Sequence, residues 1–224
     1  MKKEIIICIS SKGRLKPKSL NIFKKKKLKI VSEKGERDLV GYVKNKNFNI
    51  KILFVHAREA IDALANLTAD VAISGKDLLF NSSTNVQKKI KLYKDLDFGH
   101  ASLKIFKSIY WIDCASLLDV SEIARNKPLK LITKYRLLVE NFLSEKNVRN
   151  VEVIDSNGAT EIAVRINQAS LVADISSTGK TAAANDLSEL NDGLILKTSA
   201  ALMVAKKSLK KKEVVKLLKL LSKS

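Results

Sequence analysis

Short apolar runs alternate with helical periodicity along almost the whole chain, and no other feature restricts the fold as much. Residues 4–10, 50–55 and 70–74, and later 129–133, 151–154 and 170–175, read as short buried strands. Between them, residues 16–27, 58–66, 137–144 and 160–166 carry apolar side chains at helical spacing. Strand, helix, strand in that order calls for parallel pairing with helices on the sheet faces, the α/β class. Residues 29–32 read as a further strand, with polar loops on to residue 50. The stretch 90–110 contains a first crossing, through residues 95–100 and a strand at 101–106. Residues 194–196 and 200–205 read as the return, and 214–221 as an apolar helical face closing the first half. The chain is therefore expected to form two lobes, residues 1–99 plus 194–224 and residues 100–193. A ligand cleft is expected where it crosses twice. No tandem repeat is visible.

At 224 residues each half is long enough to bury its own core. The net charge is +19, from 42 Lys and Arg against 23 Asp and Glu. Only seven of those cations are Arg, and aromatics make up 5% of the chain. A nucleic-acid reader leans on Arg forks and stacking rings, so the lysine runs at 24–27 and 210–212 read as solvated faces and the excess as compositional drift. What the charge does provide is a positive field that favours anionic ligands. Cys8 and Cys114 are too few for a disulfide framework or a cysteine zinc cluster. The apolar run 5–9 is far too short to span a bilayer, and no small-residue cleavage pattern follows it. A cytoplasmic protein is expected.

Chemistry concentrates in the turns that follow the strands. Asp174 ends one apolar run and leads through Ile175 into Ser176, Ser177, Thr178, Gly179, Lys180 and Thr181, where a helix opens. Small residues let backbone N–H groups approach a phosphate closely, hydroxyls add donors, and a helix start adds positive potential. A Walker A loop would need glycine where Asp174 stands, so that motif is excluded. An ordinary capped strand-to-helix connection is the plain alternative. Ser10, Ser11, Lys12, Gly13, Arg14 and Leu15 repeat the layout after the first strand, two cations around a glycine that suit a pyrophosphate. Gly158, Thr160 and Glu161 follow another strand and read first as a helix cap. Thr133, Lys134 and Tyr135 offer a hydroxyl, a cation and a ring together.

Covalent and zinc chemistry find no support. His56 and His100 have no second ligand at metal spacing, and no nucleophile elbow occurs. Tyr110 and Trp111 read as packing or surface residues.

Together these segments resemble the short form of ATP phosphoribosyltransferase, the first enzyme of histidine biosynthesis. The similarity runs through residues 11–15, Arg37 and Asp38, 74–78, 95–99, 133–135, 158–161 and 174–181 with Asn185, in that order over nearly the whole chain. It stops where the long form would add a regulatory domain. The resemblance implies a two-lobed fold like type II periplasmic binding proteins. It also implies transfer of a 5-phosphoribosyl group from phosphoribosyl diphosphate to N1 of ATP, with Mg²⁺ present and pyrophosphate released. It implies a histidyl-tRNA-synthetase-like regulatory subunit as partner, with a homodimer inside a larger hetero-oligomer. By the match, Ser176, Ser177, Thr178, Gly179, Lys180 and Thr181, with Glu161 and Asp174, would hold the ribose donor. Lys12, Arg14, Arg37 and Arg58 would act catalytically on the phosphates. Ser11, Gly13, Gly75, Asp77, Lys134 and Tyr135 would contact ATP, and no protein metal site is implied.

Some positions depart from the family pattern. Residues 56–61 replace a common Arg-x-x-Asp-Ile-Pro, Arg136 stands where Pro often follows Thr-Lys-Tyr, Val164 stands where Pro is common, and Asp186 replaces a glycine. Two rivals remain at this point, a non-catalytic anion- or nucleotide-binding module of the same fold and a nucleic-acid protein motivated by charge alone.

Overall fold

A computed structural model describes residues 4–223 apart from 33, 34, 36, 37, 45, 157, 159 and 161. The chain forms two compact units, Met1–Gly99 with Ser199–Ser224, and His100–Thr198.

Unit 1 is built on a six-stranded sheet. Its strands are β1 (Ile5–Ser10), β2 (Val40–Lys44), β3 (Asn49–Val55), β4 (Val71–Gly75) and β5 (Ile90–Asp95), with β11 (Ala200–Ala205) returning from the far end of the chain. Their order is β2-β3-β1-β4-β11-β5. The central three, β3, β1 and β4, run parallel, and Ile5, Ile7, Cys8 and Ile9 of β1 are buried on both faces. A near-continuous apolar run is what a strand covered on both sides requires. Helix α1 (Leu15–Lys25) and the C-terminal α9 (Lys212–Ser222) bury Phe23, Val214, Leu217, Leu218 and Leu221 in one core of the unit. Helix α2 (Ala57–Ala65) puts Ala60, Ile61, Leu64 and Ala65 into a second core with Cys8 and Met203. The short helices α3 (Lys76–Phe80) and α4 (Thr84–Lys89) complete the unit. Asp70 holds the C-terminal segment down. Only 4% exposed, it accepts hydrogen bonds from the Ile6 N–H (3.1 Å), the Ser208 hydroxyl (2.6 Å) and the Lys211 ammonium (2.6 Å).

Unit 2 carries a five-stranded sheet. Its members are β6 (Ala101–Ser108), β7 (Leu129–Thr133), β8 (Val151–Asp155), β9 (Leu171–Ser176) and β10 (Leu187–Thr198), in the order β10-β6-β9-β7-β8. Strands β8, β7 and β9 are parallel, the same three-stranded arrangement as β3, β1 and β4. Helices α5 (Leu117–Asn126) and α6 (Arg136–Glu145) cover it, while α7 (Ile162–Arg165) and α8 (Lys180–Ala184) are short links. Cys114, Leu117, Val120, Val139 and Leu143 meet Leu103, Leu131 and Leu171 in its core.

Three sequence expectations need correction. Residues 29–32 form no strand, only the bridge Val31–Tyr42, and the strand beside β3 is β2 instead. Its pattern is faint because it is an edge strand with Gly41 at one of its two buried positions. The return crossing falls at Ser199 and not at 194, since β10 pairs with β6 all the way from Leu187–Ser108 to Thr198–Ala101. Irregularities between Glu189 and Leu196 break its alternation and hide it as a strand. Finally, α5 was not anticipated. Among the described residues no helix is long and apolar enough to cross a membrane.

Candidate functional site

In open α/β sheets, ligands gather at the carboxyl ends of parallel strands where the strand order reverses. In unit 2 that point lies between β7 and β9, because the chain goes from β7 out to β8 and then back across to β9. Two of the expected segments leave the sheet there. Thr133, fully buried, donates its hydroxyl to the Ala173 carbonyl (2.7 Å) and accepts from the Tyr135 N–H (3.0 Å). It thereby fastens the two strand ends together and sets Lys134 and Tyr135 just beyond them.

From β9 the chain runs through Asp174 into the loop. Asp174 accepts the Ile175 N–H (2.7 Å) on one oxygen and the hydroxyl of buried Thr160 on the other. The Ser176 hydroxyl accepts the Gly179 N–H at 3.0 Å, so the loop folds back on its own start. Gly179 has φ +73°, a left-handed value that side chains with a Cβ resist, and it caps α8. Asn185 donates to the Thr181 carbonyl (2.8 Å) and closes the far end. Residues 174–182, with Phe106, Val172 and Leu187, enclose a hollow of about 70 Å³. Whole-ligand pockets run to about 300–1,000 Å³, so this one suits a single group of phosphate size. Helix α8 has only five residues, so the donors are the loop's own N–H groups and hydroxyls, with little from a helix dipole.

Unit 1 repeats the geometry at β1. Ser10 lies level with Val55 of β3, and Ile9 with Ile73 of β4. The turn with Ser11, Lys12, Gly13 and Arg14, the start of α2 with Arg58, and Gly75 with Asp77 therefore emerge side by side. The Ser11 N–H donates to the Val55 carbonyl (2.8 Å), and the Ser10 hydroxyl to the Lys12 carbonyl (2.9 Å). Lys12 and Arg14 are exposed. Asp77 is different. It is 7% exposed and turned back over Gly75, where an added Cβ would collide with its Oδ1. A side chain at position 75 would require that carboxylate to move. Lys76 pairs with Asp95 at 2.9 Å. Arg37 and Glu161 lie outside the described residues.

Several structural partners were not read from sequence: Thr160 behind Asp174, Thr133 between the strands, Asn185 behind Thr181, and Glu59, whose carboxylate accepts the His56 N–H (2.8 Å). The departures also find reasons. Asp186 has φ +55°, which explains why glycine is common there, and it pairs with Arg165 at 3.2 Å. Arg136 opens α6, the position where proline is favoured, and pairs with Glu140 (2.7 Å) and Asp155 (3.4 Å). Trp111 packs on the core of unit 2, while Tyr110 is exposed.

Among the described residues no three His, Cys, Asp or Glu side chains gather into a metal cage. Mg²⁺ keeps several waters and takes one or two carboxylates together with substrate phosphates. That habit fits this sparse donor set. The two thiols, Cys8 and Cys114, are both buried. Burial pushes Cys8 up to about 11, helped by the Glu59 charge, and burial with Asp119 raises Cys114 to about 11. From an ordinary value of 9.0, the folded state keeps its protons while the unfolded chain loses them. This stabilisation is complete below pH 9 and is lost as pH rises toward 11, at 1.36 kcal/mol per pKa unit or about 3 kcal/mol for Cys8. Urea unfolding at pH 8 and pH 10.5 should show the loss, and Cys8→Ala should lessen it, with Cys114 keeping its own share. An equal pH slope in the variant would refute the cause.

Strand-end turns at two reversal points, within two α/β units, define the architecture of the type II periplasmic binding proteins. Solved structures share it. The holo ArgBP of T. maritima has a TM-score of 0.56 at 13% identity over 99% of this chain and 91% of its own. A probable amino-acid ABC transporter extracellular-binding protein, ytmK of Bacillus subtilis, has 0.56 at 12% over 99% and 97%. The HisG:HisZ ATP phosphoribosyl transferase complex of Thermotoga maritima is nearer, with a TM-score of 0.76 at 19% identity over 97% and 96%. Residues 56–223 match the HisG family, ATP phosphoribosyltransferase. The ATP phosphoribosyltransferase of Brucella suis (strain ATCC 23445 / NCTC 10510) is 31% identical over 211 residues, 91% of each chain. The chain belongs to the ATP phosphoribosyltransferase family, glycosyltransferases that catalyse the first step of histidine biosynthesis.

Proposed function

We propose that the loop 176–181 receives the 5-phosphate of phosphoribosyl diphosphate and that Lys12, Arg14 and Arg58 act on the leaving diphosphate. The observation that carries the donor assignment is the self-closed loop around a hollow the size of one phosphate. Departure of diphosphate from C1 leaves an oxocarbenium-like ribosyl centre, and the weakly nucleophilic N1 of ATP attacks it. Such a reaction needs alignment and charge stabilisation on the leaving group, with no nucleophilic side chain. Lysines and arginines at the end of β1 supply positive charge, and Lys134 and Tyr135 beside the loop are suited to a nucleotide. Mg²⁺ bound with the diphosphate would neutralise part of its charge. A regulatory partner akin to the HisZ of the T. maritima complex is part of this reading.

Asp174 takes the ribose-facing role. Its carboxylate is held by the Thr160 hydroxyl and the Ile175 N–H. Asp174→Asn keeps the shape and removes the charge. With ATP, phosphoribosyl diphosphate, Mg²⁺ and the cognate regulatory subunit, wild type should form phosphoribosyl-ATP. The variant should lose about tenfold or more in kcat/KM for the donor, the scale of one charged hydrogen bond. Unchanged kinetics would reject the role of the carboxylate. No product from wild type with its partner would reject the catalytic reading itself.

A further inference from the structure

Charge is divided unequally between the two units. Unit 1 holds 30 of the 42 Lys and Arg and 11 of the 23 Asp and Glu, and so carries the whole +19, whereas unit 2 holds 12 of each. The loop 176–181 therefore lies on a unit with no net formal charge to draw an anion in, and the cations of that unit count by position. Two of them are matched by carboxylates of their own, Arg136 by Glu140 and Asp155, and Arg165 by Asp186.

Lys104 is placed differently. On β6 it stands level with Asp174 of β9, and residues paired across neighbouring strands share one face of the sheet. Phe106, two residues further along β6, is on that face too. Both Phe106 and Asp174 line the hollow of about 70 Å³. The Lys104 side chain is 27% exposed and reaches the other way, to β10, where Glu189 stands level with Phe106 and accepts the ammonium at 2.5 Å. Lys104 is thus flanked by two residues of the wall of the hollow while its charge is turned to a carboxylate on the next strand.

A phosphate in the hollow would change that balance. It brings about two negative charges at neutral pH, beside the Asp174 carboxylate that Thr160 and the Ile175 N–H already hold. Like charges so close disfavour one another unless a cation joins them. A half-exposed ion pair is weak enough to exchange partners, and the lysine stem is flexible. To reach β10 that stem spans one strand spacing, about 4.8 Å, and the same reach in the other direction covers the level of Asp174. We propose that Lys104 is a further donor-binding residue, turning from Glu189 to the 5-phosphate of the bound donor and offsetting the charge of Asp174, with Glu189 as the competing acceptor. This rests on the reading of the loop 176–181 as the donor site.

Calorimetry on the full chain, with Mg²⁺ and phosphoribosyl diphosphate, reads the proposal without turnover. Lys104→Met should weaken donor binding about tenfold or more, the scale of a charged hydrogen bond, and Lys104→Arg should recover most of the loss. Glu189→Gln should act in the opposite sense and tighten binding by about two- to fivefold, the scale of an exposed ion pair released. Combined with Lys104→Met that gain should vanish, because Glu189 acts through the lysine. Ribose 5-phosphate, which has a single phosphate, should rank the variants in the same order. A pair that only braces β6 on β10 predicts instead equal losses of thermal stability and unchanged binding. Unaltered binding in Lys104→Met, weaker binding in Glu189→Gln, a gain that survives without the lysine, or effects absent with ribose 5-phosphate would each overturn the proposal. Gly179→Val is the reference for the loop itself. If it binds donor weakly while Lys104→Met binds normally, the loop keeps its role and only that of Lys104 fails. If Gly179→Val binds donor normally, the donor site is misplaced and the role of Lys104 falls with it.

Discussion

Arg14→Ala is expected to lower kcat by about 100- to 1,000-fold while leaving the KM for ATP within a few fold. Removing one donor aimed at developing transition-state charge has about that cost. The charge on the diphosphate grows only as the bond to C1 breaks, so the loss should fall on kcat and not on ground-state binding. The fold should tolerate the change. Arg14 is exposed with ordinary helical backbone angles (φ −64°, ψ −20°) at the start of α1, and makes no side-chain cap there. Lys12→Ala should cost less, because an ammonium offers a point charge without the fork of a guanidinium. Arg14→Lys should fall between wild type and Arg14→Ala. Steady-state formation of phosphoribosyl-ATP with the regulatory subunit present measures all three. A variant with unchanged kcat and a raised KM for ATP would move Arg14 from the leaving group to ATP binding.

The parallel strands were legible because burial on both faces leaves a plain signature. Ile5, Ile7, Cys8 and Ile9 are all essentially inaccessible, and the run's short length and β-branched isoleucines favour a strand over a helix. Edge strands leave a weaker one. In β2 only Gly41 and Val43 are buried, and the first of these has no side chain to register. The long β10 suffers from the opposite problem, since its irregular pairing with β6 scatters Leu187, Leu190 and Ile195 out of phase. For that reason the return to unit 1 was placed five residues early, at 194 where Ser199 is observed.

At the site, residue types and their order were readable, but their supports were not. Nothing in the spacing of Thr160 and Asp174 announces a hydrogen bond across 14 positions, nor that Thr133 bonds to Ala173 across 40. The second is set by the register of β7 on β9, with Thr133 level with Ala173, and the first by the packing of the segment before α7 against β9, both tertiary facts. Asp77 shows the limit from the other side. Its neighbours suggest a ligand contact, and spacing gives no sign that the residue is buried with its carboxylate folded back toward Gly75. Charge was the least legible feature. The total of +19 looked uniform until the division into units placed all of it on one.

Gly179→Val should raise the KM for phosphoribosyl diphosphate by about 100-fold, while Gly179→Asn should stay within about fivefold of wild type. Space does not explain the difference, since a Cβ on Gly179 would meet nothing within 4 Å. The backbone does. At φ +73° a β-branched residue is a strong outlier, whereas Asn enters the left-handed region readily. Valine would turn the peptide toward ordinary angles, break the 3.0 Å bond from the Gly179 N–H to the Ser176 hydroxyl, and open the hollow that residues 174–182 enclose. Donors fixed before the substrate arrives cost no reorganisation, and a loop that must close around the phosphate loses that advantage. The effect should appear in the donor KM and leave the ATP KM nearly unchanged. It should also appear without turnover, as weaker binding of phosphoribosyl diphosphate by calorimetry. Equal behaviour of the Val and Asn variants would mean that the left-handed backbone at Gly179 is not what shapes the donor site.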